Sequence, residues 1–300
     1  MGKKLTEKSK IDPSEIRQAF NSVNIKLLCC RYWVLEEWEC FDLSVPFWRI
    51  YHNNIAGAKI KFNNVETELK EDVIVIIPPN TSFSSKLKQD FTTNNESISG
   101  RKFIKKDTLA SIKEKGKVDH LFIHFSLGFP LDFVKNTVNV INCDEYSLQL
   151  LEVIQKFCLD DTSFNFEECL TIQQLISFCL LRLQNDIWKF GALDQRVFIA
   201  MQHIEKHFSD NINNDKLASN ANMAVNSFAR LFKNSTGISI QQYIIRTKIE
   251  AACNLMHHSN KTIDEIAFDC GFSDRHHFAK IFKKVMNMNP AYYKKRLTMV

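Results

Sequence analysis

Hydrophobic and polar positions follow two different periods along this chain. From residue 24 to about residue 125 the spacing is mostly that of extended strands. Residues 24–40, with the run IKLLCCRYWVLEEWEC, are apolar and aromatic-rich, as the first strands of a β domain would be. In 46–51, Trp48 and Ile50 point one way, Arg49 and Tyr51 the other. In 58–62, Ala58, Ile60 and Phe62 alternate against Lys59 and Lys61, and Asn63-Asn64 reads as a tight turn. Residues 65–69 pair back, and 72–79 read as a buried strand ended by Pro78 and Pro79. Residues 92–117 are polar and read as a long loop or insertion, after which 119–125 form a strand with His120, Phe122 and His124 on one face. The period then changes. Residues 146–157 and 166–188 are expected to be helical, the second with a broad apolar band through Leu170, Ile172, Leu175, Ile176, Cys179, Leu180 and Leu183. Gly191 and the shift of pattern at Asp194 mark a linker.

The last third contains a duplicated unit. In 263–296, IDEIAFDCGFSDRHHFAKIFKKVMNMNPAYYKKR, Ile263, Ile266 and Ala267 form a helical stripe. Gly271 supplies a left-handed turn residue, and Ser273 is placed to cap the next helix. That helix buries Phe278, Ile281 and Phe282 and exposes Arg275, His276, Ala279 and Lys280. Upstream, 215–233 repeats the plan: Leu217 matches Ile266, Ala218 matches Ala267, Phe228 matches Phe278, Arg230 matches Lys280 and Phe232 matches Phe282. Asn222 takes the place of Gly271, and Asn is the usual non-glycine residue of the left-handed region. Residues 241–256, with Tyr243, Ile244, Ile249, Ala252 and Leu255 at helical spacing, would join the two units.

Residues 197–296 resemble the DNA-binding domain of the AraC/XylS family of bacterial transcription regulators, and GFSDRHHFAKIFKKVMNMNPAYYKK follows that family's signature through Pro290 and Tyr293. Ile240, where a proline is common, and Lys248, where arginine is common, depart from it. The run GAKIKFNNVETELKEDVIVIIPPNTSF, through Asp72 and the paired prolines, resembles the cupin-like effector domain of the family's sugar-responsive members. The resemblance implies an α+β chain of two domains. Residues 1–190 would form a cupin-like β-barrel or jelly roll with following helices, and 195–300 an all-α domain with helix-turn-helix motifs at about 214–235 and 263–285 joined by a helix. It also implies an N-terminal arm near the ligand, dimerisation through the helices before the linker, and transcriptional activation that would engage RNA polymerase. Repression is equally allowed by the chemistry, as is a ligand-independent regulator whose first domain serves only dimerisation or partner binding. Packing of 166–188 within its own chain competes evenly with dimerisation.

Charge follows the same division. The net +5 resolves into +7 over 195–300, where 15 Lys+Arg face 8 Asp+Glu, and −2 over the remainder. A solvated basic surface would explain the charge; it would not explain the repeat. Two such units would enter successive major grooves about one helical turn, roughly 34 Å, apart. The resemblance places base-facing positions at Asn226, Ala229 and Arg230 and at Arg275, His276 and Lys280. Arginine and lysine suit guanine, asparagine suits adenine, and Ala229 offers only an apolar contact. Arg230 and Lys280 touching phosphate alone is the competing reading, and one of His276 and His277 is expected to have no role. Lys233, Lys283, Lys284, Lys294 and Lys295 are read as phosphate contacts or solvation.

Nine scattered cysteines with no C-x-x-C spacing are expected to be reduced core residues of a cytoplasmic protein, not a disulfide framework or a metal site. No signal peptide and no membrane span is expected. Arg49, Tyr51, His120 and His124 are candidate pocket residues for a small-molecule effector, a sugar or another small polar metabolite, against the alternative of hydrogen-bonded core groups. His120 and His124 lack the neighbouring ligands of a compact metal triad, and no phosphate loop or nucleophile motif appears. The expectation is a regulator of double-stranded DNA, not an enzyme, without cofactor or metal, acting as a homodimer.

Overall fold

The longest strand, β1 (Lys26–Leu43), is shared by three neighbours in an antiparallel sheet, in a computed structural model that describes residues 23–87, 96–128, 131–159, 163–188, 194–286 and 288–297. The other strands are β2 (Trp48–His52), β3 (Ala58–Phe62), β4 (Val65–Leu69), β5 (Val73–Ile77), β6 (Phe83–Leu87), β7 (Ser97–Lys102), β8 (Val118–Ser126) and β9 (Asn139–Asn142). Their order is β4-β3-β6-β1-β8-β2-β5-β9, with β7 also on β1. The sheet curls into a nearly closed barrel. β1 can serve several partners because it changes neighbours along its length: β8 pairs with 26–35, β7 with 33–39 and β6 with 40–43. Register shifts between Leu27 and Cys29, Leu35 and Glu37, and Cys40 and Leu43 bend it around the barrel.

Several expectations are corrected here. Within 24–40, residues 26–40 belong to this one strand rather than to several. Within 92–117, residues 96–117 are ordered into β7 and a short helix, α1 (Leu109–Glu114), while 92–95 lie outside the described residues. The polar sequence SISGRK concealed a strand because β7 lies half-buried along β1 and takes its order from backbone pairing. The Asn63-Asn64 turn has φ of +47° and +65°, as a two-residue hairpin between β3 and β4 demands.

Two helices lie beside the barrel, α2 (Glu145–Phe157) and α3 (Phe166–Leu181), each opened by a capping box at Asp144 and Asn165. Leu150, Leu151, Ile154, Ile172, Leu175, Ile176 and Cys179 are buried in the same core as the strands. The helix expected over 166–188 stops at Leu181. Arg182 stacks on Phe178 at 3.4 Å and pairs with Asp144 at 2.7 Å, and Trp188 then bridges back to Val134. Those are tertiary contacts that local spacing does not encode. Residues 1–22 and Gly191 lie outside the described residues, so the expected arm and linker glycine have no structural account.

Seven helices follow: α4 (Gln195–His207), α5 (Asn214–Asn220), α6 (Val225–Thr236), α7 (Ile240–His258), α8 (Ile263–Asp269), α9 (Arg275–Met286) and α10 (Pro290–Leu297). They enclose two small cores. Phe228 and Phe232 of α6 pack with Val197, Met201, Ile204 and Leu217 in the first; Phe278 and Phe282 of α9 pack with Ile266, Ala267 and Tyr293 in the second. Each fully buried phenylalanine contributes about 1.5–3 kcal/mol. α7 supplies Ile240, Tyr243 and Ile244 to the first core and Ile249, Ala252, Cys253 and Met256 to the second. One rigid helix therefore sets the placement of one unit relative to the other. None of the helices is long and apolar enough to cross a membrane, among the described residues.

Candidate nucleic-acid interface and effector cavity

The two turns differ in sequence and agree in backbone. Asn222 has φ +52° and Gly271 φ +68°, so both occupy the left-handed region at the same point between paired helices. α6 begins three residues after Asn222 and α9 four after Gly271, so the turn absorbs the extra residue of the second unit. Ser273 does not cap α9. Its hydroxyl donates to Asp274 Oδ2 (3.1 Å), and Asp274 Oδ1 accepts from the His277 amide (2.8 Å). The additional residue moves the cap position on by one, and the Asp274 carboxylate takes it.

Asn226 and Arg230 on α6, and Arg275, His276 and Lys280 on α9, are exposed; Ala229 is half-buried. Asn226, Arg230, His276 and Lys280 sit opposite the buried phenylalanines of their helices, while Ala229 packs at the edge of the first core and Arg275 lies in the first turn of α9, on the side of Phe278. Arg275 Nη1 donates to Asp264 Oδ2 across the turn at 3.0 Å, which holds the guanidinium near α9's start. Lys233, Lys283, Lys284 and Lys295 are exposed around these faces. Lys294 is half-buried, with its ammonium donating to the Lys261 carbonyl, which places it against the loop before α8. Lys248, the departure from the expected arginine, donates to the Gly271 carbonyl at 2.6 Å and braces the second turn.

The four candidate pocket residues converge. Inward-facing positions of three adjacent strands form rungs across the sheet: Cys29 of β1, His124 of β8 and Arg49 of β2 lie side by side, and Arg31, Phe122 and Tyr51 form the next. These side chains, with His120, Leu35, Trp38, Leu43, Val45, Phe47 and Ile98, surround a cavity of about 90 Å³. Its remaining wall is the end of α7: His257 meets Phe47 edge-on and His258 meets it tilted, with ring centroids 4.8 and 5.2 Å apart. The cavity therefore lies between the barrel and the helical half, rather than within the barrel alone. Sequence reasoning missed Arg31 and the histidine pair. Arg31 alternates with Cys29 on an evident strand and was within reach; His257 and His258 carry no local sign of facing the barrel.

Arg49 is the least ordinary residue in it. The side chain is 1 % exposed, Nη2 donates to the Thr81 carbonyl at 3.0 Å, and Nε and Nη1 have no partner. Its ring contact is Phe83, 4.7 Å from the guanidinium carbon. Burial pulls its pKa below the usual arginine range, partly offset by the Tyr51 hydroxyl beside it. His120, bonded through Nδ1 to Asn53 Oδ1 (2.8 Å), is driven down to about 3 by burial, so it is neutral at physiological pH. Burial also holds His124 and His257 well below the ordinary value, and His258 at about 4. The cavity thus presents neutral imidazoles, an apolar wall and one buried cation with donors to spare.

A family described as a helix-turn-helix domain matches residues 217–296, which span both turns. The chain is 33% identical over 123 residues to the HTH-type transcriptional activator RhaS of Escherichia coli O139:H28, a match covering 41% of this chain and 43% of that protein. The helix-turn-helix pair expected from the sequence is thus matched over residues 217–296. The chain spans less than half the length of the curated relatives it matches. Across the whole architecture, barrel and helices together, it is similar to the unsaturated fatty acid-bound wild-type ToxT of Vibrio cholerae strain SCE256, with 15% identity, a TM-score of 0.51 and coverage of 94% of this chain and 99% of that one. That likeness concerns the fold: a helix-turn-helix pair carried behind a barrel domain.

Proposed function

We propose that this chain is an AraC/XylS-family, sequence-specific DNA-binding transcription regulator whose two recognition helices, α6 and α9, enter successive major grooves. The observation that carries the reading is the shared joining helix. α7 belongs to both cores, so two congruent turns with exposed polar faces are held in one geometry. Asn226, Ala229, Arg230, Arg275, His276 and Lys280 are the base-facing set, and Lys233, Lys283 and Lys284 the phosphate-facing set. Lys294 is a weaker member, because its ammonium already has an acceptor. The test is selection of bound duplexes from a random pool with the full chain at near-physiological salt. Two short motifs about one helical turn apart are expected; binding without a motif that vanishes as salt rises would refute the reading.

The cavity supports ligand control, with residues 1–190 as the sensing unit and activation as the output. Of the small effectors expected, a sugar or another small polar metabolite, the lining favours one with a carboxylate and an apolar tail. Two unpartnered guanidinium donors in a buried site cost about 1–3 kcal/mol each unless an acceptor fills them, and Trp38, Phe47 and Phe122 accept an apolar tail. ToxT, of the same fold, is described as bound to an unsaturated fatty acid. A ligand touching both the barrel and α7 would shift the balance between domain arrangements by its differential affinity for them. Dimerisation through α2 and α3 is part of the proposal: Phe166, Leu170 and Leu181 of α3 and Tyr146 and Leu148 of α2 remain exposed.

A further inference from the structure

Three soft donors meet where the barrel touches α7. Cys29 Sγ, one ring nitrogen of His124 and one of His258 all lie within 4.8 Å of one another. Cys29 and His124 are cross-strand partners on β1 and β8, so the strand register brings their side chains out together on the cavity face. His258 arrives from the last residue of α7, in the helical half. Each histidine keeps a buried ring nitrogen, Nδ1 of His124 and Nε2 of His258, with no hydrogen-bond partner. Buried imidazole nitrogens are ordinarily satisfied, and two orphans flanking one thiol need an explanation. All three residues are only half-buried, which leaves a way in from solvent.

We propose that Cys29, His124 and His258 form a binding site for a single thiophilic d10 metal ion, Cu⁺ in preference to Zn²⁺, which clips the barrel to the end of α7. The donor set decides the class: one thiolate and two imidazoles suit Cu⁺ or Zn²⁺ and are poor ligands for Mg²⁺ or Ca²⁺. Metal–sulfur and metal–nitrogen bonds of about 2.3 and 2.0–2.1 Å draw such donors to within roughly 3.3–3.8 Å of one another. Closing from 4.8 Å therefore asks for side-chain adjustment alone. Charge decides within the class. Arg31 and Arg49 line the same cavity. A thiolate with Cu⁺ is neutral and adds no repulsion beside two guanidinium groups, whereas a thiolate with Zn²⁺ leaves a net positive charge there. On binding, the Cys29 S–H bond breaks, its proton passes to solvent, and the thiolate and the two imidazole lone pairs bond to the ion without any change of oxidation state.

The site stands independently of the DNA reading; it shares the cavity with the carboxylate reading, but its three donors do not include Arg49, the anchor proposed for that ligand. Its consequence is mechanical: the ion ties β1 and β8 to the helix that carries both recognition units.

The experiment uses the full, reduced chain under anaerobic conditions, titrated with Cu⁺ against a chromophoric Cu⁺ chelator and, separately, with Zn²⁺ against a zinc indicator. One Cu⁺ per chain is expected, held at least 100-fold more tightly than in Cys29→Ser or His258→Gln, with a rise in the thermal unfolding midpoint that both variants lose. Cys169→Ser, on α3 outside the cavity, is expected to behave as the parent. His258→Gln, at a helix end, remains informative should Cys29→Ser fail to fold. Retention of stoichiometric Cu⁺ by both variants would assign the ion to other cysteines and overturn the site, as would loss of the ion to the chelator. Tighter Zn²⁺ than Cu⁺ binding, lost in the same variants, would overturn the choice of ion.

Discussion

At Gly271 two independent demands fall on one residue. Its φ of +68° lies where a side chain is strained, and a Cβ there would be driven into the backbone of Ser209, in the segment after α4. Backbone cannot yield as a flexible side chain can. Gly271→Ala is expected to destabilise the helical half by about 2–4 kcal/mol, read as a drop in the urea midpoint; a change below ~0.5 kcal/mol would show that the turn relaxes freely. Asn222, at φ +52°, is exposed and already carries a side chain in the same backbone region. Arg49 makes the converse case. Replacing it with Met removes a buried cation whose donors are mostly unmatched, so stability should change little or rise, within about 1–2 kcal/mol. The same variant should lose any rise in melting temperature produced by a straight-chain carboxylate such as decanoate. A shift equal to that of the parent protein would remove Arg49 as the anchor.

At the scale of elements, α6 and α9 carry different kinds of contact. Arg275→Ala and Lys280→Ala in α9 should each cost about 1–3 kcal/mol on the selected sequence and relax discrimination at one base position. Equal weakening on every duplex would reassign them to phosphate. The short passage from β7 to α1 rests on Asp107, which accepts from Arg101 Nη1 and Nη2 at 2.6 and 2.7 Å and from the Ile104 amide at 2.9 Å. The Arg101 guanidinium holds the Asp107 carboxyl down to about 2. A carboxyl depressed in the folded state stabilises above its ordinary pKa and loses that contribution as pH falls toward the folded value. Asp107→Asn should therefore cost on the order of 0.5–1 kcal/mol near neutrality, because the pair is largely solvent-screened. The difference from the parent should shrink between about pH 4 and 2, as measured by urea denaturation across that range; a gap that persists would assign the effect to packing.

For the molecule as a whole, the buried histidines make stability depend on pH in one direction. His120 sits near 3 and burial also lowers His52, while the unfolded chain titrates both near the ordinary histidine value. Below about pH 6.5 the unfolded state therefore binds more protons than the folded one, and stability falls as pH drops from there toward the folded values. His120→Gln should flatten that slope in denaturation midpoints taken between pH 7 and 5. An unchanged slope would show that His120 titrates alike in the folded and unfolded protein.

The duplicated helix-turn-helix plan, the hairpin at Asn63-Asn64 and the alternation that put His120, Phe122 and His124 on one face were legible in the chain, because each depends on period or on φ preference over a few neighbours. So was the family resemblance. The strand at 97–102, the end of α3 at Leu181 and the cap at Asp274 were not: a polar edge strand, a stacked Arg182 and a turn longer by one residue owe their form to partners distant in sequence or to the register of a loop. The cavity divides along the same line. Arg49, Tyr51, His120 and His124 could be chosen from strand alternation, yet only folding brings His257 and His258 against Phe47 and closes the space between the halves. Local spacing determines which way a side chain faces; what it faces is decided by how the elements pack, a choice made by burial summed over the whole core.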